Sequence, residues 1–206
     1  MRPSAWLDRL FASPRWDQVV IWALDLETTG LRPDRDEILS VGMVPIREGV
    51  IRYGERFHSY VRPPDREGLS TEGIRAHHLV PADYADAPRV AQVVPEVERR
   101  LREGVLLVHH APLDVTFLKT AFERSGAAWP APVVLDTIDL VLKLHHRQHR
   151  FSPHPPRPRT GLTDAREAAG LPPYPSHDAL SDALATAELF LLLRSRLGLC
   201  TLRALR

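Results

Sequence analysis

Two carboxylates, Asp25 and Glu27, stand two residues apart at the end of the apolar run Val19-Val20-Ile21-Trp22-Ala23-Leu24, just before Thr28-Thr29-Gly30. The β-branched and aromatic content of that run reads as a buried strand closed by a turn. Side chains alternate along a strand, so both carboxylates project from one face while Leu24 and Leu26 project from the other. Carboxylates so close repel and raise each other's pKa, and such a pair persists where a cation or a shared proton relieves it. An all-oxygen donor set favours Mg²⁺ or Mn²⁺ over zinc. The same spacing also suits a solvated strand end that caps the next loop. Two further segments supply acids at element ends: Asp114, and Asp182 with His177 five positions before it.

The elements that must position these groups follow from periodicity. After Gly30, residues 37–46 and 53–61 read as strands joined by a glycine-containing hairpin loop at Arg47-Glu48-Gly49, which predicts an antiparallel meander beginning with the carboxylate strand. Residues 70–76 suit one or two helical turns leading into His77-His78-Leu79. Pro88 opens a helix carrying Val90, Val93, Val94, Val97 and Leu101 at helical spacing and ending at Gly104, with a kink or break expected at Pro95. Val105-Leu106-Leu107-Val108 is a fully buried strand delivering His109-His110-Ala111-Pro112-Leu113-Asp114 to a helix start, so Asp114 falls in a first turn. Residues 133–137 and 138–144 repeat the strand–helix order, which makes the second half α/β with parallel strands, and ligands in such sheets sit outside the carboxyl ends of strands. Residues 162–169 form a short helix stopped by Gly170. Leu180, Leu184, Ala187 and Leu191 define a long closing helix with Asp182 near its start.

Residues 145–160 hold four arginines, four histidines, four prolines and no acid, and read as an exposed, poorly ordered loop, either a linker or an attractor of polyanions. The prolines deny those histidines helical spacing, which argues against zinc. Trp6, Leu7, Leu10 and Phe11 suit a short amphipathic helix, packed on the domain or docking a partner. The expected organisation is an extension over 1–18, one domain over 19–198 and a tail over 199–206.

With 206 residues, 44% hydrophobic and 26% charged, the chain is sized for one domain with an ordinary core. A net charge of +1 leaves room for a local basic face. Cys200 is the single cysteine, so an intramolecular disulfide and a cysteine-rich zinc site are excluded, and a reducing cytoplasmic setting is expected. No apolar run approaches the roughly 18 residues a membrane span needs, and charged Asp8, Arg9, Arg15 and Asp17 interrupt any signal-peptide pattern.

Taken together, Asp-Leu-Glu-Thr-Thr-Gly-Leu from Asp25, Val-His-His-Ala-Pro-Leu-Asp ending at Asp114 with Phe117-Leu118 beyond it, and His-Asp-Ala-Leu-Ser-Asp-Ala from His177 resemble the DEDDh branch of the DnaQ-like 3′→5′ exonucleases, the family of DNA polymerase III epsilon proofreading subunits. The resemblance runs from about Val20 to Leu193. It implies a ribonuclease H-like α/β fold with a five-stranded mixed sheet, and two-metal hydrolysis of the terminal phosphodiester of DNA in proofreading or repair. It implies two divalent cations, Mg²⁺ or Mn²⁺: Asp25 would bridge them, Glu27 and Asp182 would complete the set, and Asp114 would hold the second directly or through water. His177 would be the general base. Thr28, Leu31 and His77 would contact the terminal nucleotide, with Leu79 as an apolar wall. The implied partners are DNA with a 3′ end, RNA as the alternative substrate, and a DNA polymerase or clamp; no membrane is implied. A non-catalytic binding domain on the same fold is the remaining alternative, opposed by the retention of all four acids and His177. The sequence departs from the family pattern at His78, where glycine is usual, at His110, where asparagine is common, and at Leu113, where phenylalanine is common.

Overall fold

A computed structural model describes residues 13–64, 79–174 and 178–206. The expected helical turns at 70–76, together with His77, His78, His177 and the amphipathic stretch from Trp6 to Phe11, lie outside the described residues.

Strand β1 (Ile21–Thr28) pairs antiparallel with β2 (Ile38–Arg47) and parallel with β5 (Val105–Val108), which in turn pairs parallel with β6 (Val134–Asp136). Two short strands, β3 (Val50–Ile51) and β4 (Phe57–Tyr60), share the outer edge of β2. The sheet therefore has five positions and six strands, and the meander is as expected. The strand predicted over 53–61 is shorter. Tyr53–Glu55 form a 3₁₀ turn around Gly54, closed by the Glu55 amide on the Arg52 carbonyl at 2.9 Å, and only Phe57–Tyr60 pair with β2. The hairpin between β2 and β3 places Glu48 at φ 52° and Gly49 at φ 76°, the two-residue turn whose twist matches that of the flanking strands.

Helices cover both faces: α1 (Pro81–Tyr84), α2 (Val90–Glu103), α3 (Ala111–Arg124), α4 (Thr137–Gln148), α5 (Leu162–Ala168), α6 (Ala179–Leu197) and α7 (Leu202–Leu205). Trp22 and Leu24 of β1 join a core with α2 and α3, whereas Ile21 and Ala23 join one with α4, α5 and α6. Asp25 and Glu27 continue the second row, so they face α6. Helix α2 runs through Pro95 as one element. Pro95 lies on its solvent side, where the carbonyl left without an amide partner can meet water. Residues 145–148, read as the start of a loop, are the last turn of α4; the prolines begin only at Pro153 and do not reach it. The remainder of that stretch is exposed, yet Arg147 donates to the Arg196 and Leu197 carbonyls at the end of α6, and Arg159 pairs with Asp164 at 2.6 Å and Glu167 at 2.7 Å. Two of its four arginines thus bond to groups outside the stretch.

Residues 13–18 and 199–206, at the edges of the expected domain, pack on it. Trp16 is buried edge-to-face on Phe190 at 5.9 Å, Leu205 is fully buried, and Arg15 bridges to Thr201. No helix among the described residues is long and apolar enough to cross a membrane.

Gly42 of β2, the cross-strand partner of Asp25, fixes how closely α6 approaches. A Cβ there would lie 2.2 Å from the Ala179 carbonyl oxygen and 2.4 Å from the Leu180 nitrogen, so the first turn of α6 rests on bare backbone. Both contacts are main chain and cannot rotate aside. Gly42→Ala is expected to cost about 1–3 kcal/mol by overpacking, read as a lower denaturant midpoint at unchanged slope.

Candidate active site

Carboxylate oxygens of Asp25, Glu27 and Asp182 all lie within 4.8 Å of one another. Three sequence features bring them there. The alternation of β1 puts Asp25 and Glu27 on one face, Gly42 lets α6 sit down on that face, and Asp182 falls in the first turn of α6. A bulge between Glu27 and Thr28 shifts the register, with Glu27 opposite Ser40 and Thr28 opposite Ile38, as is common beside functional sites. Asp114, in the first turn of α3 and 5% exposed, stands outside that group of ligand atoms, but its charge acts on both Asp25 and Glu27.

The electrostatics follow from burial and crowding. Burial pushes the Glu27 carboxyl up to about 8, helped by the charges of Asp182, Asp178 and Asp114. Burial likewise raises Asp114 to about 8, with Asp136 adding to the rise while the Asp114 and Leu26 amides oppose it. Asp25 is raised well above the usual carboxylate range, first by burial and then by Asp114, Asp182, Glu27 and Asp178. Such a site wants positive charge. Its oxygen-only donors are those of hard divalent cations, and the residues fit that group.

A stability prediction follows. Without metal, Glu27 and Asp114 hold protons in the folded state that they have lost in the unfolded chain across the interval from about 4 to about 8. The unfolded state then binds fewer protons, so the contribution of these two groups to stability is fully present below about pH 4 and is lost as pH rises toward 8. Thermal melts in EDTA are expected to show a melting temperature that declines over this interval, and the gain on adding Mn²⁺ is expected to widen with pH.

The surroundings hold residues that sequence reasoning passed over. Asp136 accepts from the amides of His110 at 3.1 Å, Ala111 at 2.7 Å and Ile138 at 2.9 Å, so one carboxylate ties the start of α3 to that of α4. Asp178 caps α6 by accepting from the Ser181 amide at 2.8 Å. The signal for it was present in sequence as an Asp just ahead of an apolar helical run. On the same face of the sheet, Ser40 lies beside Glu27 and its hydroxyl is 3.0 Å from His58 Nε2. His109 is a tie: its Nδ1 lies 2.7 Å from Thr137 Oγ1 and its Nε2 2.7 Å from the Thr160 carbonyl. Burial lowers its pKa. His110 sits at φ 85°, ψ 64°, a left-handed position in which Asn, Asp and His are enriched among non-glycine residues.

Of the expected substrate contacts, Thr28 is half-buried and donates to the Gly30 carbonyl at 2.6 Å. Leu31 is 74% exposed at the tip of the following loop, which the Thr29–Glu37 bonds and the Arg124–Glu37 pair at 2.7 Å hold closed. Leu79 is half-buried just ahead of α1, and His77 and His177 lie outside the described residues.

Comparison with known proteins places this geometry. The RNase_T family model, described as "Exonuclease", matches residues 22–190. The chain is 31% identical over 172 residues to the DNA polymerase III PolC-type protein of Thermotoga petrophila, covering 82% of this chain and 11% of that one. It is 28% identical over 167 residues to the PolC-type protein of Staphylococcus aureus, covering 81% and 11%. The chain therefore spans about a tenth of the length of these relatives. Among solved structures, the zinc-bound complex of E. coli exonuclease I with single-stranded DNA superposes with a TM-score of 0.75 at 18% identity, over 88% of this chain and 42% of that one. Cell-death related nuclease 4 gives 0.72 at 17% identity, over 89% and 66%. The last two share the fold, a mixed sheet flanked by helices. Since the family's own model matches well over half of its length, the chain belongs to the exonuclease family as a DnaQ-like member.

Proposed function

We propose that the protein is a metal-dependent 3′→5′ exonuclease that hydrolyses the terminal phosphodiester bond of DNA and releases nucleoside 5′-monophosphates. The observation that carries this reading is the convergence of Asp25, Glu27 and Asp182 within 4.8 Å, with Asp114 close enough to act on them. Mutually repelling carboxylates cost stability, and a domain that only binds nucleic acid gains nothing from them. The single-stranded DNA bound by exonuclease I supports DNA as substrate, and the polymerase names of the PolC-type relatives support proofreading or repair with a polymerase or clamp as partner.

In the proposed reaction Asp25, Glu27 and Asp182 would hold two divalent cations, Mg²⁺ or Mn²⁺, and Asp114 would hold the second directly or through water. When bound, those ions stabilise the attacking and leaving oxygens of an in-line displacement and offset the charge of the phosphate. His177 takes the proton of the attacking water; an imidazole titrating near 6.5 is suited to this at working pH. Thr28, Leu31, His77 and Leu79 seat the terminal nucleotide so that its phosphodiester lies on the carboxylates.

The test is degradation of 3′-labelled and 5′-labelled oligonucleotides, DNA beside RNA and single strands beside mismatched duplexes, with Mg²⁺ or Mn²⁺ and with EDTA. The expected result is release of mononucleotides from DNA 3′ ends that EDTA abolishes. Preference for short RNA would move the function to RNA turnover. Absence of metal-dependent cleavage by folded protein would overturn the catalytic reading.

A further inference from the structure

The basic, proline-rich stretch after α4 walls a cavity that the carboxylate site does not use. About 250 Å³ of space lies between the second half of α4, helix α5 and the last turns of α6, with Pro156, Arg157 and Pro158 as its fourth wall. Leu193, on the α6 wall, follows Asp182 by about three helical turns. The cavity is therefore separate from the carboxylates. An apolar cavity of about 150 Å³ holds one benzene ring, so this one has room for two fused rings.

Its floor and rim differ in kind. Val141, Leu144 and Leu193 make the floor apolar and continue the core between α4 and α6. Around them the polar lining is basic, and no acid lines the cavity among the described residues. His145 Nε2 is buried without a hydrogen-bond partner, and the ring of His149, one turn on, lies 4.5 Å from its own. Arg159 is spent on Asp164 and Glu167, and Arg196 gives one N–H to the Ala169 carbonyl at 2.9 Å. Arg157 is exposed and bonds to no group among the described residues. Two imidazoles one turn apart can also hold a transition metal, but here the guanidiniums of Arg157 and Arg196 oppose a further cation.

We propose that this cavity binds a small aromatic carboxylate. Its rings lie on Val141, Leu144 and Leu193, and its carboxylate accepts from His145 Nε2 and pairs with Arg157. That arrangement gives the orphaned imidazole a partner and answers the one unpaired guanidinium with a single negative charge, which fits a carboxylate better than a phosphate dianion. The prolines on either side of Arg157 fix φ at both positions, so the loop wall has little freedom to lose when a ligand enters. The proposal stands apart from the exonuclease reading, because none of the residues assigned to catalysis lines the cavity.

Isothermal titration calorimetry in EDTA tests it with 2-naphthoate, 2-naphthalenemethanol and 2-naphthylmethylammonium, which share a shape and carry a negative charge, none and a positive charge. The carboxylate is expected to bind about 10- to 100-fold more tightly than the alcohol, and the ammonium is expected not to bind. Arg157→Gln is expected to bring the carboxylate toward the affinity of the alcohol while leaving the alcohol unchanged. Ala168→Trp, which fills the cavity from an exposed position on α5, is expected to abolish binding of both. Both positions are exposed, so each variant is expected to melt as the native protein does. Equal affinities for the three probes, carboxylate binding that survives either substitution, or no carboxylate binding by folded native protein would each overturn the assignment.

Discussion

Asp25→Asn is expected to lower metal-dependent hydrolysis by about 10³-fold or more while raising the melting temperature of the metal-free protein. The two effects share one cause. Asp25 is the residue on which the charges of Glu27, Asp114, Asp178 and Asp182 all bear, in addition to its burial. An amide of nearly the same shape removes that repulsion and the desolvation of a charge, so the empty site relaxes. The same amide is a poor partner for a divalent cation. Thermal melts in EDTA and turnover in Mn²⁺, run on one preparation, read both effects. A variant less stable than the native protein in EDTA would show that the carboxylate is held by favourable contacts, and near-native turnover would remove Asp25 from the chemistry.

His177→Ala is expected to lower kcat by about 10²–10⁴-fold and to leave the stabilisation by Mn²⁺ unchanged, because the ions are assigned to carboxylates. A general base must be neutral to accept a proton, so in the native protein saturated with Mn²⁺ log kcat should fall with a slope approaching one per pH unit on the acid side of the imidazole's titration. That acid limb is expected to vanish in the variant. A limb that survives the substitution would transfer it to another group and leave His177 without a part in the proton transfer.

The motifs were legible because the chemistry constrains type and spacing together. Asp25 and Glu27 on an alternating strand predict their own shared face, and the run Val105-Leu106-Leu107-Val108 followed by Pro112 predicts a strand feeding a helix. What escaped the sequence depends on contacts between distant segments. Nothing local to Gly42 says that the backbone of Ala179 will rest on it, since the two are far apart in the chain. Asp136 looks like the end of a strand, and its hold on the amides of His110 and Ala111 exists only once β5 and β6 are paired. The interrupted edge of β2 turns on Gly54, whose 3₁₀ turn competes locally with a ladder bond. Pro95 does not split α2, because a missing amide costs less where its carbonyl partner faces water.

The bridge between Arg15 and Thr201 has a consequence for engineering and for assembly. The Trp16 amide bonds the Cys200 carbonyl at 3.2 Å, the Leu202 amide bonds the Pro14 carbonyl at 3.0 Å, and the Arg203 amide bonds Ser13 Oγ at 2.9 Å. Residues 13–16 and 200–203 are therefore stitched side by side, away from the carboxylates at the other end of β1. A short linker joining the two strands of that seam would let the chain be reopened at a surface loop with its order changed and its core intact. For the same reason the unit can be spliced into a longer polypeptide as a loop-out module, displacing the host's two attachment points by little more than the spacing of a paired backbone.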